Sequence, residues 1–314
     1  MTLKEEPLEF DQAFKFYEAG DYKRAYSIMD GVAEKHPRWA QRAYEFRMDF
    51  AAKMGKFELA EEILGQALEA GFFYNEYVLR KDDDLKALQG RPRFETLVKK
   101  SFEILAAEEN KSKPELIVLR PEFELSARIP FLMALHGNNS NAEDFSTYWS
   151  YFTRNGWLTA LPQSSQLSGR NMHVWNDLDK ADTEIKAHYE HLTIDNDLDT
   201  ERSLIAGFSK GGHEAIRAAL TGLFPMHGFI AIAPYVGDPD NWIEMVSRAD
   251  KSKVRGVFLL GEKDSHCTPG ALKLHEMLLE NGFRSKVEIF EGMKHEIPDN
   301  YDKVFEESVK FLFS

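Results

Sequence analysis

The chain has 314 residues, a formal net charge of −13, a hydrophobic fraction of 43% and one cysteine, Cys267. That length suits two domains with a substantial core, and a single cysteine excludes an internal disulfide and fits a reducing cytoplasm. Residues 1–112 hold 18 basic and 22 acidic residues and residues 113–314 hold 21 and 30, so neither part offers the basic patch that nucleic acid or an anionic membrane requires.

The first ten residues are acidic rather than basic-then-apolar, so no export signal is expected. No apolar stretch reaches the roughly 18 residues of a membrane span. From Phe10 the apolar residues recur at three- and four-residue intervals: Phe10, Ala13, Phe14, Tyr17, then Tyr22, Ala25, Ile28, Met29, Val32. This period predicts helices without strands. Gly20-Asp21-Tyr22-x-x-Ala25 returns 35 residues later as Gly55-Lys56-Phe57-x-x-Ala60, each glycine at the turn of a helical hairpin. His36-Pro37 closes the first copy, because proline cannot continue a helix. With Ala13, Phe16, Gly20, Tyr22, Ala25, Val32 and Pro37 so placed, the segment resembles tetratricopeptide-type hairpins, whose period is about 34 residues. The resemblance implies a small solenoid over residues 1–112. It serves either a protein partner or self-association, or it is an appendage packed on the rest of the chain. Residues 67–101 are expected to be a degenerate capping unit, and residues 106–113 a linker.

Beyond Pro114, short apolar or β-branched runs alternate with amphipathic segments, the pattern of a mostly parallel α/β sheet over residues 113–314. Strands are expected at 116–119, 129–135, 157–161, 203–208, 229–233, 254–260 and 286–290. Helices are expected at 142–154, 181–192, 210–220, 241–247, 269–281 and 300–313. In such sheets functional groups collect just past the carboxyl ends of strands. His136-Gly137-Asn138-Asn139 follows the second expected strand, and Ser209 the fourth. Gly261-Glu262-Lys263-Asp264 follows the sixth, and Glu291-Gly292-Met293-Lys294-His295 the seventh.

Gly207-Phe208-Ser209-Lys210-Gly211, entering a helix from a strand, has the form of a nucleophile elbow. A serine hydroxyl needs a base to take its proton as it attacks, and His295 is placed for that role. Asp264 is placed to orient the imidazole; Asp238, after the strand at 229–233, and Glu262 are the alternative carboxylates. These residues, in the chain order serine, acid, histidine, resemble an α/β-hydrolase, nearest to carboxylesterase, phospholipase and dienelactone-hydrolase-like esterases. The resemblance covers residue 115 to the end. It implies an α/β-hydrolase fold preceded by a small all-α domain, and a cytoplasmic serine esterase acting on a small-molecule ester or thioester without cofactor or metal.

The backbone N–H groups of Lys210 and Asn138 are the expected oxyanion donors. Asn139, His173 and Trp175 are expected to line the substrate pocket, and His136 to be structural. His188 and His191, three apart, have no third ligand at a useful spacing, and His213-Glu214 does not continue into a zinc-protease motif. His266-Cys267 is read as an ordinary loop with an unpaired thiol. A peptidase of the same fold, and an interaction protein built on the helical repeats, are the alternative functions.

Overall fold

The computed structural model describes residues 7–122 and 128–314; the first six residues of the acidic start lie outside the described residues. The chain divides into two compact units. One is Met1–Ser112 together with Leu167–Met172, and the other is Lys113–Gln166 together with His173–Ser314.

The first unit is helical: α1 (Leu8–Glu18), α2 (Tyr22–Ile28), α3 (Val32–Lys35), α4 (Ala40–Lys53), α5 (Phe57–Glu69) and α6 (Pro92–Glu109). Two helical hairpins, α1–α2 and α4–α5, carry the repeated motif. In each, the glycine stands between the helices in the left-handed region, Gly20 at φ 77° and Gly55 at φ 72°, where a side chain would be strained. Phe10, Ala13, Ala25, Met29 and Val32 make one buried cluster, and Ala60, Ile63, Leu64 and Ala67 join Phe94 and Val98 in another. The segment 67–101, expected to be a degenerate capping unit, does not repeat the hairpin of the two copies before it. Ala67 belongs to α5, and a π turn at Tyr77–Lys81 and a 3-10 turn at Asp83–Leu88 lead to the single long helix α6. Three consecutive aspartates, with Asp82 accepting from the Asp84 N–H, favour the tight turn over a helix. Good helix formers carry α6 on to Glu109, so Ala106–Glu109, expected in the linker, are helical.

The six-residue excursion is fastened within this unit by buried Gln41. Its Nε2 donates to the Phe73 carbonyl at 2.7 Å, and its Oε1 accepts from the Arg170 N–H at 2.9 Å.

The second unit alternates strands and helices. In chain order these are β1 (Glu115–Leu119), β2 (Ile129–Leu135), α7 (Ala142–Ser146), α8 (Ser150–Arg154) and β3 (Leu158–Gln163). The chain then makes its excursion into the first unit, which holds β4 (Leu167–Gly169) and the first residue of β5 (Met172–His173), and the second unit resumes with α9 (Leu178–Asp195), β6 (Leu198–Phe208), α10 (Lys210–Thr221) and β7 (Gly228–Ile232). The chain ends with α11 (Ile243–Arg248), β8 (Arg255–Gly261), α12 (Thr268–Glu280), β9 (Arg284–Phe290) and α13 (Tyr301–Leu312). The sheet runs β1-β3-β2-β6-β7-β8-β9, with β1 antiparallel to β3 and the remaining pairs parallel.

The central strands read as nearly continuous apolar runs because both faces are covered. Phe131, Met133, Ile205, Ala231 and Phe258 pack with residues of α9, α10 and α12, while Leu132, Ala134, Ala206, Ile232 and Leu259 pack with residues of α7, α8 and α13. The helix expected at 142–154 is interrupted by a 3-10 turn at Thr147–Trp149. Strand β6 begins five residues before the expected 203, and its register with β2 shifts at Pro130/Phe131. No helix among the described residues is long and apolar enough to cross a membrane.

Candidate active site

Ser209 stands between β6 and α10 with φ 55° and ψ −117°, a conformation that side-chain-bearing residues rarely adopt. Its surroundings hold it there: its N–H donates to the Ile232 carbonyl at 2.9 Å, and its own carbonyl accepts from the Tyr235 N–H at 3.0 Å. The flanking glycines are steric necessities. A Cβ on Gly207 would sit 2.2 Å from the Gly211 carbonyl oxygen, and one on Gly211 would sit 2.3 Å from that of His136.

Two further strand ends converge on this serine. The loop after β9 brings His295 Nε2 to 2.9 Å from Ser209 Oγ, and the loop after β8 brings Asp264 Oδ2 to 2.6 Å from His295 Nδ1. A carboxylate only accepts, so Nδ1 carries the proton and Nε2 is left to accept from the serine hydroxyl. Asp264 is buried, and its other oxygen accepts from the Cys267 N–H at 3.0 Å. Asp238 instead caps a 3-10 turn by accepting from the Asp240 N–H, and Glu262 accepts from the Gly292 N–H at 2.9 Å, bracing the loop that carries His295. Among the three carboxylates read from the sequence, Asp264 is the one against the imidazole.

Lys210 opens α10, so its N–H has no acceptor inside the helix. The Asn138 side chain fixes its own peptide: Oδ1 accepts from the Trp175 N–H and Nδ2 donates to Asn176 Oδ1, both at 2.9 Å. The Asn139 N–H donates to the His173 carbonyl, and Asn139 itself is exposed at φ 60°. Two pocket expectations are corrected here. Trp175 is 0% exposed, and its indole N–H donates to the His136 carbonyl at 2.8 Å. His173 is buried, with Nδ1 donating to the Ser164 carbonyl at 2.6 Å. An indole that finds a buried acceptor packs inward, and the Trp175 and His173 rings both pack against the His136 ring, at centroid distances of 4.9 and 6.2 Å. Arg170, from the same stretch, belongs to the first unit, where its guanidinium lies over the Phe72 ring.

His136 is buried, and its Nδ1–H donates to the Gly137 carbonyl at 2.8 Å. Desolvation pushes its pKa down from 6.5 to about 3. The folded chain therefore keeps this imidazole neutral where the unfolded chain protonates it. The associated stability is complete above pH 6.5 and falls with pH towards about 3, by roughly 1.4 kcal/mol per pH unit. In urea melts from pH 7 to pH 4, His136→Gln is expected to lose less stability than the parent. Parallel losses would exclude His136 as the source.

Sequence reasoning missed a charged network along α10. Glu214 is buried beside Arg217 Nε at 3.1 Å, His213 Nε2 at 3.6 Å and Lys210 Nζ at 3.9 Å, while its Oε1 has no hydrogen-bond partner. Arg217 also pairs with Asp182 and donates to the Leu178 carbonyl. Burial pushes Glu214 up to about 7, His213 down to about 4, and Lys210 below its ordinary value. The network ties the elbow helix to the segment that supplies Asn176. Its signal was the i, i+3, i+4, i+7 spacing of Lys210, His213, Glu214 and Arg217. A hollow lined by Thr200, Thr221, Met226, Arg248 and Lys253 opens at the amino-terminal ends of the strands and holds none of these groups.

Ser209 Oγ, the His295 imidazole and the buried Asp264 carboxylate thus form one hydrogen-bonded line. Fold and site geometry define the second unit as an α/β-hydrolase-type domain, preceded in the chain by a helical domain. Residues 153–308 match the dienelactone hydrolase family, and residues 8–107 match the family described as A/B hydrolase-like, N-terminal domain. An uncharacterized protein from Bacillus cereus ATCC 10987 is similar over 98% of this chain and 99% of its own, at 22% identity and a TM-score of 0.57. Esterase PE8 aligns with 64% of this chain and 99% of its own, at 17% identity and a TM-score of 0.54. Dipeptidyl peptidase 4 of Porphyromonas gingivalis aligns with 63% of this chain and 33% of its own, at 16% identity and a TM-score of 0.50. At these identities the likeness is one of fold. No curated protein matches the chain.

Proposed function

We propose that the chain is a serine hydrolase that cleaves carboxylic esters or thioesters through an acyl-enzyme on Ser209. One observation carries the reading: Ser209, His295 and Asp264 come from three separate strand ends and meet at 2.9 and 2.6 Å in the order that proton transfer needs. In acylation Ser209 Oγ bonds to the acyl carbon while His295 Nε2 takes its proton. The carbonyl electron pair moves to an oxyanion held by the Asn138 and Lys210 N–H groups, each worth about 3 kcal/mol of barrier. Collapse expels the alcohol or thiol, which leaves with the proton from His295. Water then repeats the sequence and releases the acid. Asp264 holds the imidazole in the required tautomer and stabilises its cation.

The dienelactone hydrolase match and the name of esterase PE8 favour a small ester; the name of dipeptidyl peptidase 4 keeps peptide bonds as the second reading. A panel of short nitrophenyl esters, acyl thioesters and aminoacyl amides separates the two. Turnover of esters or thioesters at least about 100-fold above amides is the expected result. Preferential amide cleavage would replace this reading with the peptidase.

A further inference from the structure

We propose that Asp264, Cys267 and His295 form a binding site for a thiophilic divalent cation of the zinc class, and that its occupation switches the hydrolase off. One ligand atom from each residue lies within 4.8 Å of the other two. Cys267 and Asp264 are buried, while the His295 side chain is 39% exposed and gives the ion its way in. Cys267 directly precedes α12, and its N–H is already bonded to Asp264 Oδ1, which keeps its side chain beside the carboxylate.

Zinc bonds of about 2.0–2.3 Å place tetrahedral ligands about 3.3–3.8 Å apart. The Asp264–His295 contact, now 2.6 Å, must open by under an ångström, and the widest separation, at most 4.8 Å, must close by about the same. A thiolate, an imidazole and a carboxylate with a fourth position for water suit zinc or cobalt and not magnesium or calcium, which prefer oxygen ligands. On binding, the Cys267 thiol gives its proton to solvent, the imidazole proton of His295 moves through solvent from Nδ1 to Nε2 so that Nδ1 can take the metal, and no electron changes hands. The metal then takes the lone pair or the orientation of the imidazole, together with the charge of Asp264. His295 can no longer accept the Ser209 proton. This inhibitory effect rests on the serine-hydrolase reading, whereas the site itself does not.

Cys267 is the only cysteine in the chain, so the full-length protein reports on the site without any variant. Cobalt(II) is expected to give a thiolate-to-cobalt charge-transfer absorption that zinc displaces and that Cys267→Ser lacks. Zinc is expected to inhibit ester hydrolysis, with recovery on chelation, while magnesium and calcium leave it unchanged. In Cys267→Ser and Cys267→Ala the zinc concentration for half-inhibition, each referred to the variant's own uninhibited rate, rises at least about tenfold. No thiolate band in the folded parent chain, or equal zinc sensitivity in parent and variants, would overturn the proposal. A thiolate band in a chain without any hydrolytic activity would uphold the site and overturn both the inhibition and the serine-hydrolase reading.

Discussion

Ser209→Ala is expected to lower kcat for ester hydrolysis by on the order of 10⁵–10⁶-fold with little change in KM, because it removes the atom on which the proposed acyl-enzyme forms. Ser209→Gly should be equally inactive and also more stable. The serine sits at φ 55° and ψ −117°, and strain in such regions costs about 1–3 kcal/mol. Glycine relieves that strain while adding freedom to the unfolded chain, so a net gain of up to about 1 kcal/mol is expected in urea melts. Destabilisation by Ser209→Gly would mean that the elbow is not strained in solution. The expected trade of stability against activity is the physical signature of a catalytic turn.

The second large effect concerns the carboxylate. Asp264→Asn keeps the shape of the site but lets the side-chain amide donate to His295 Nδ1, which moves the imidazole proton to Nε2 and leaves no acceptor for the serine. A fall in kcat of about 10⁴-fold is expected on steady-state ester hydrolysis. Asp238→Asn is expected to change kcat by less than about twofold, since asparagine caps a helical turn as well as aspartate does. Comparable losses in both variants would show that the acid has been misassigned.

That contrast marks how far the sequence could be read. The strand ends were legible because parallel strands covered on both faces are written as apolar runs, and each run is followed at once by its polar group. Ser209, Asp264 and His295 could be listed from that pattern. Choosing among Asp264, Asp238 and Glu262 needed the turn geometry that makes Asp238 a cap and Glu262 a brace. Trp175 was misread because an aromatic's role depends on where its N–H finds an acceptor, here the His136 carbonyl 39 residues away. The excursion of residues 167–172 into the first unit hangs on Gln41, 129 residues from Arg170. No local period records a contact of that kind. In the helical unit the glycine turns announced two hairpins, but nothing in the helical period disclosed that residues 70–91 would leave the repeat for short turns before α6.

An activated serine at position 209 can be sought by labelling the intact chain with a fluorophosphonate and locating the adduct by peptide mass mapping. One adduct per chain is expected, on the peptide carrying Ser209, with labelling slowed at least about 1000-fold in His295→Ala. An adduct on another residue, or hydrolysis by a chain that the probe never modifies, would contradict it.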